Sequence, residues 1–177
     1  LEEGARLPFT TPPQPSYRSN AQLDAQEQLF VRDELNRLQG LGAVSKVTRA
    51  QLTCVNPIFV VPKTSEGTVS GYRLIIDMRE PNKVFTPERF IYDTLRTLAP
   101  MLAQGQSLVS VDLKDAYFHV RMYEPHRTYM GFSFTDPLSG EQNFYYYNVL
   151  PFGMSASPAI FTSLTRPISR YIADVLG

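Results

Sequence analysis

The stretch Val109-Ser110-Val111-Asp112-Leu113-Lys114-Asp115-Ala116-Tyr117-Phe118-His119-Val120 constrains this chain more than any other. Its apolar alternation predicts a strand that begins near Ser107 and ends at Asp112, followed by a short helical turn over Leu113 to Phe118. The strand needs a core to lie on, while its last residue is a carboxylate that stays at the rim. With 177 residues, 43% of them hydrophobic, the chain has the apolar mass for one such core. An aspartate at the end of a strand serves either as a turn former or as a ligand for a divalent cation. Tyr117, five residues on, reads either as a core aromatic or as a ring presented to a bound molecule.

The remaining pattern mixes strands with segregated helices, which predicts an α+β fold of antiparallel strands with packed helices. Pro8, Pro12, Pro13 and Pro15 forbid helix and favour an extended arm lying on the body or on a partner. A helix is expected from about Gln22 to Gln39. Leu23, Leu29, Phe30, Val31, Leu35 and Leu38 give its apolar face, with Asp24, Glu27, Arg32, Asp33 and Arg37 in water. Asn20 or Asp24 would cap it, and Gly40 and Gly42 would end it. Asn56 to Pro62 and Tyr72 to Asp77 read as two strands of a hairpin, with the polar stretch Lys63 to Gly71 as its loop. A short helix is expected near Ile91 to Leu98. A second hairpin is expected from Thr128 to Phe134 and Gln142 to Val149, around Asp136-Pro137-Leu138-Ser139-Gly140. Ser155-Ala156-Ser157-Pro158 then opens a helix carrying Ile160, Phe161, Leu164, Ile168, Tyr171 and Ile172 at helical spacing.

Charge and composition exclude several classes. Seventeen basic and seventeen acidic residues cancel, which argues against tight nonspecific nucleic-acid binding by the whole surface. The balance is uneven along the chain: residues 46 to 89 carry seven basic and four acidic side chains, residues 1 to 39 four and six. Cys54 stands alone, so an internal disulfide is ruled out and a reducing intracellular compartment is compatible. Two histidines and one cysteine suggest no zinc constellation. No apolar run approaches the roughly 20 residues of a membrane span. Leu at position 1 leads us to expect a fragment, a processed product or an incomplete chain.

Two further strings carry chemistry. Leu150-Pro151-Phe152-Gly153-Met154-Ser155-Ala156-Ser157-Pro158-Ala159-Ile160-Phe161 places a glycine where backbone can approach another group closely. Pro57-Ile58-Phe59-Val60-Val61-Pro62-Lys63 and Tyr72-Arg73-Leu74-Ile75-Ile76-Asp77-Met78-Arg79 place two cations on one hairpin, apt for phosphate oxygens. As lone surface charges Lys63 and Arg73 would simply be solvated.

Together the three strings, in this order over roughly residues 24 to 170, resemble the fingers and palm of reverse transcriptases from retroelements. Gly42-Ala43-Val44, Leu95-Arg96-Thr97-Leu98 and Leu150 to Phe161 most resemble DIRS-type elements, and Phe152, where retroviral enzymes typically place glutamine, is similar to DIRS-type and gypsy-type elements. The resemblance implies roles for eight residues in template-directed deoxynucleotidyl transfer. Asp112 is the catalytic metal ligand, for Mg2+ or Mn2+. Lys63 and Arg73 grip the triphosphate, backbone amides around Asp115 and Ala116 hold it, and Tyr117 lies beneath the incoming sugar. Phe152 and Gly153 pack on the nascent base pair and template. Asp77, Arg79 and Asn82 echo the family's Asp-x-Arg-x-x-Asn, with Pro81 where leucine is common. The implied partners are an RNA or DNA template-primer and a dNTP, with no membrane.

By the same resemblance the chain divides into a proline-rich arm (1–20), fingers-like segments (21–85 and 123–150), a palm-like segment with the first catalytic motif (86–122) and a truncated palm-like helix (151–177). It ends before the family's Tyr-x-Asp-Asp hairpin. Tyr171-Ile172-Ala173-Asp174 has one aspartate and continues a helical pattern. The expectation is a polypeptide that does not polymerise alone, with an open palm edge beside Asp112 covered by a protein partner, a second copy or the arm. The alternative is a recruited, non-catalytic retroelement-derived subunit that binds RNA or protein within a ribonucleoprotein assembly.

Overall fold

The computed structural model of the chain describes residues 3–65, 67–86, 91–92, 94, 96, 99–102, 104–105 and 112–176. Among the described residues, two sheets and three α-helices make an α+β fold. Helix α1 (Ala25–Gly40) starts at a capping box: the Asp24 carboxylate accepts from the Glu27 N–H at 2.8 Å, and the Glu27 carboxylate accepts from the Asp24 N–H at 3.0 Å. It ends where the Leu41 N–H donates to the Arg37 carbonyl and Gly42 turns left-handed at φ 68°. Val31, Leu35 and Leu38 are buried on one stripe. Leu29, expected on that stripe, is exposed, because two residues from Val31 is about 200° around the helix. Asn20 does not cap α1. Its amide donates to the Ser133 carbonyl and its oxygen accepts from the Ile58 N–H, tying three segments together.

The larger sheet has five strands: β1 (Ser16–Tyr17), β2 (Val44–Val47), β3 (Cys54–Asn56), β6 (Gly131–Thr135) and β7 (Gln142–Tyr147), in spatial order β1-β3-β6-β7-β2. β6–β7 is the expected second hairpin, with Phe132 opposite Tyr145, and β2 runs antiparallel to β7. The β1–β3 and β3–β6 pairs are parallel, and they join the expected antiparallel pairing into a mixed sheet. Strands this far apart in sequence are paired by the core, where alternation cannot report direction. Phe132 is fully buried and stacks on Tyr145 with ring centres 5.4 Å apart. Asn56, buried beside them, donates its amide to the carbonyls of Tyr129 and Gly131.

β4 (Ile58–Ser65) and β5 (Thr68–Ile76) form a separate two-stranded ribbon. Ile58 pairs with Ile76 and Val60 with Leu74, which puts one face of the ribbon on the core. The strands are longer than expected: most of Lys63 to Gly71 is strand, with a register shift between Lys63 and Thr64. Cross-strand backbone bonds continue past the apolar segment because they do not depend on side-chain polarity. The ribbon leads into the short helix α2 (Arg79–Asn82), in which Pro81 is buried.

The arm lies on the body. The Ala5 N–H donates to the Arg121 carbonyl at 2.7 Å, the Thr86 N–H to the Pro8 carbonyl at 2.6 Å, and Ala5 and Leu7 are core residues. Helix α3 (Ser157–Leu176) carries Pro158 in its first turn and continues through Pro167, so Tyr171 to Asp174 are helical as expected. The expected strand residues 107–111 and half of the expected Ile91–Leu98 helix lie outside the described residues. Among the described residues no helix is long and apolar enough to cross a membrane.

Candidate functional site

Asp112 is exposed and enters a tight turn. Asp115 adopts φ 52°, ψ 38°, the left-handed region, which among the described residues no other non-glycine occupies. Aspartate is one of the few L-residues that tolerate it. The Asp115 carbonyl accepts from the Phe118 N–H at 2.8 Å and opens a 3-10 turn over Ala116–His119, where a helical turn was expected. Its carboxylate accepts from Arg37 of α1 at 3.0 Å, and Arg37 also donates twice to Glu34, at 2.8 Å each. These bonds, Glu34 first, push the Arg37 pKa further up, so the guanidinium stays charged.

The ribbon faces this turn. Arg73 pairs with Val61, and Val61 shares its face with Lys63, so both cations project from the same side of the ribbon. Neither side chain has an ion-pair partner among the described residues. Between ribbon and turn lies a cleft of about 430 Å³ that gathers Lys63, Arg73, Asp112, Asp115, Ala116 and Phe152. It also takes in Glu34, Arg37 and Lys114, so four cations meet three carboxylates there. Lys114, Glu34 and Arg37 escaped the sequence reading. The Glu34–Arg37 spacing signals a pair along a helix, but nothing local signals a bond to a residue 78 positions away.

Tyr117 and Gly153 do not line this cleft. Tyr117 is half-buried behind it, its ring 5.2 Å from Phe152 and 5.5 Å from Phe161, and burial raises its hydroxyl pKa. Phe152 bridges the two places, lining the cleft while packing edge-on against Phe118. Gly153 has φ +101°, and a Cβ there would run into the Ile76 carbonyl oxygen. The close backbone approach this glycine permits is to the ribbon. Asn82 clamps the same loop: its amide donates to the Gly153 carbonyl, and its oxygen accepts from the N–H and hydroxyl of Ser155. Asp77, nearly buried, accepts two bonds from the Arg79 guanidinium, which holds its pKa below the ordinary carboxylate value.

A second groove of about 740 Å³ runs along the base of the ribbon past Arg18, Phe59, Ile75, Asp77, Arg79 and Gly153. Among the described residues no three metal-binding side chains converge. Among the described residues Asp112 is a carboxylate with no ion-pair partner, beside the likewise unpaired Lys63 and Arg73. That donor set fits magnesium, which takes one or two carboxylates and completes its shell with substrate phosphates.

Comparison with known proteins shows the family. Residues 61–176 match the family model described as reverse transcriptase (RNA-dependent DNA polymerase). The Gag-Pol polyprotein of bovine immunodeficiency virus (strain R29) is 33% identical over 66% of this chain. The Pol polyprotein of an ovine maedi visna related virus (strain South Africa) is 32% identical over 79% of it. The retrovirus-related Pol polyprotein from transposon 297 of Drosophila melanogaster is 24% identical over 99% of it. The chain spans 8%, 12% and 18% of those proteins respectively. With the matched segment running from the ribbon through α3, and so enclosing the Asp112 turn and the Phe152 loop, the chain belongs to the reverse transcriptase family.

Proposed function

We propose that this chain supplies the nucleotide-binding fingers and first catalytic motif for template-directed deoxynucleotidyl transfer, within a retroelement polymerase closest in its motifs to DIRS-type or gypsy-type elements. One observation carries the reading: three segments distant in sequence bring Lys63, Arg73, Asp112, Asp115, Ala116 and Phe152 to one cleft. The side chains suit a triphosphate. Lys63 and Arg73 are unpaired cations free to bind and orient phosphate oxygens. Asp112, with phosphate oxygens, would hold Mg2+ or Mn2+. Such an ion would supply Lewis-acid stabilisation of charge on the phosphoryl oxygens. Phe152 closes one wall with an apolar ring that excludes water. Tyr117 packs behind it against Phe152 and Phe161 and so backs that wall of the cleft.

The second groove suits a nucleic-acid strand. Arg18 and Arg79 around the one Asp77 carboxylate leave a net positive charge, and Phe59 and Ile75 offer apolar surface to bases. Asp77 adds little repulsion there, because Arg79 and Arg18 pair with it. Transfer by two metals needs more carboxylate than Asp112 provides, so the reaction is assigned to the polypeptide or assembly that contributes the rest.

The test compares Mg2+-dependent binding of dTTP, with and without primer-template, in the wild-type chain, Lys63→Ala and Asp112→Asn. The expected result is loss of roughly tenfold in affinity in Lys63→Ala, and loss of the metal dependence in Asp112→Asn. A wild-type chain that binds RNA but no nucleotide would instead mark a recruited, non-catalytic subunit.

A further inference from the structure

Two of the segments that form the cleft, the ribbon and the Asp112 turn, share no hydrogen bond among the described residues, and helix α1 touches both. At one point Phe30 packs on Tyr72, ring centres 5.5 Å apart, next to Arg73 in β5. Seven residues later Arg37 holds the Asp115 carboxylate at 3.0 Å, with Glu34 between them fixing the guanidinium through two bonds of 2.8 Å. Positions 30, 34 and 37 fall on one face of a helix, and seven residues span about 10 Å. That is a rigid strut between the phosphate-binding cations and the turn that carries the metal-binding carboxylate.

We propose that Arg37, steadied by Glu34, is a positioning residue for nucleotide binding: it pins the left-handed Asp115 turn to α1 and thereby sets the gap between Asp112 and the Lys63–Arg73 pair. This rests on the reading of the cleft as a triphosphate site. Arg37 is assigned to positioning because three of its five N–H donors, one on each guanidinium nitrogen, are held by two carboxylates. Asp115 explains why the pin is needed. A non-glycine residue at φ 52° is a strained choice, and the ion pair holds it there.

The experiment uses the full chain and Mg2+-dTTP, with three variants. Arg37→Met keeps the stem and removes the charge. Asp115→Asn keeps tolerance of the left-handed conformation and removes the carboxylate. Asp24→Ala weakens the α1 cap away from the cleft and serves as a stability-matched control. The expected result is a roughly tenfold weaker Kd for Arg37→Met and Asp115→Asn. Their double variant should be no worse than either alone, and the salt dependence of binding should be unchanged because no phosphate contact is lost. Hydrogen exchange in residues 112–119 should rise in both, while Asp24→Ala leaves Kd and that exchange at wild-type values. Wild-type affinity in Arg37→Met would overturn the inference alone, as would equal losses in Asp24→Ala. A reduced salt dependence in Arg37→Met would also overturn it, making Arg37 a direct phosphate ligand. A wild-type chain that binds no nucleotide would overturn the functional reading, and this inference with it.

Discussion

At position 153 a side chain has nowhere to go. The backbone is left-handed and the Ile76 carbonyl lies where a Cβ would stand. Gly153→Ala should therefore combine conformational strain with displacement of the ribbon, a loss of about 3 kcal/mol. Gly140, at φ +71° with open space around it, is the comparison, and Gly140→Ala should lose only about 1 kcal/mol. Chemical denaturation of the two variants separates the effects, and equal losses would remove the argument for contact with Ile76. The sequence marked Gly153 as a place of close approach to a base or sugar, and in the fold the group closest to it is the Ile76 carbonyl of the ribbon. It marked Asp112, Lys63 and Arg73 as candidates, and all three reach the cleft. Arg37 it placed in water, because the acceptor that matters is on another segment.

Among the elements, the arm has the most specific attachment. The Leu7 N–H donates to Nδ1 of His126 at 2.9 Å, and the Phe9 ring lies 4.9 Å from the imidazole. Nδ1 accepts only when the ring is neutral with its proton on Nε2. Burial, and then the Arg6 charge, depress the His126 pKa below its ordinary 6.5. The other titratable groups against the ring are Tyr123 and Tyr129. A group with a depressed folded pKa that is neutral in the fold contributes stability above its unfolded value. That contribution is lost as pH falls through the folded value. The Leu7–Phe9 segment should therefore loosen below pH 6.5 and stay docked at pH 8, read by the mobility of a spin label at the exposed Thr10. His126→Phe, which keeps a ring but no acceptor, should be loose at both. Mobility independent of pH in the wild type would refute the link. Proline density announced an extended arm, but the body as its resting place depends on bonds to Arg121, Thr86 and His126, none of them near in sequence.

For the molecule as a whole, the cleft joins ribbon, α1 and turn, so a ligand that binds there stabilises all three. Mg2+-dTTP at about 100 times its Kd should add about 2.7 kcal/mol to the fold, a rise in Tm of several degrees. Asp112→Asn should remove the part that needs magnesium, and a Tm unmoved by nucleotide would count against the site. What the sequence by itself determined is local in origin. Periodicity placed α1 and α3, alternation placed the hairpins, and short strings with fixed spacing named the family and six residues that meet in the cleft. Tertiary structure alone decided the parallel pairing of β3 with β6, the docking of the arm, the Asn82 clamp on the Gly153 loop and the Arg37–Asp115 bond. Each of these joins groups separated by dozens of residues, and periodicity and local spacing, which report neighbours along the chain, carry no information about which distant groups the core will bring within hydrogen-bonding distance.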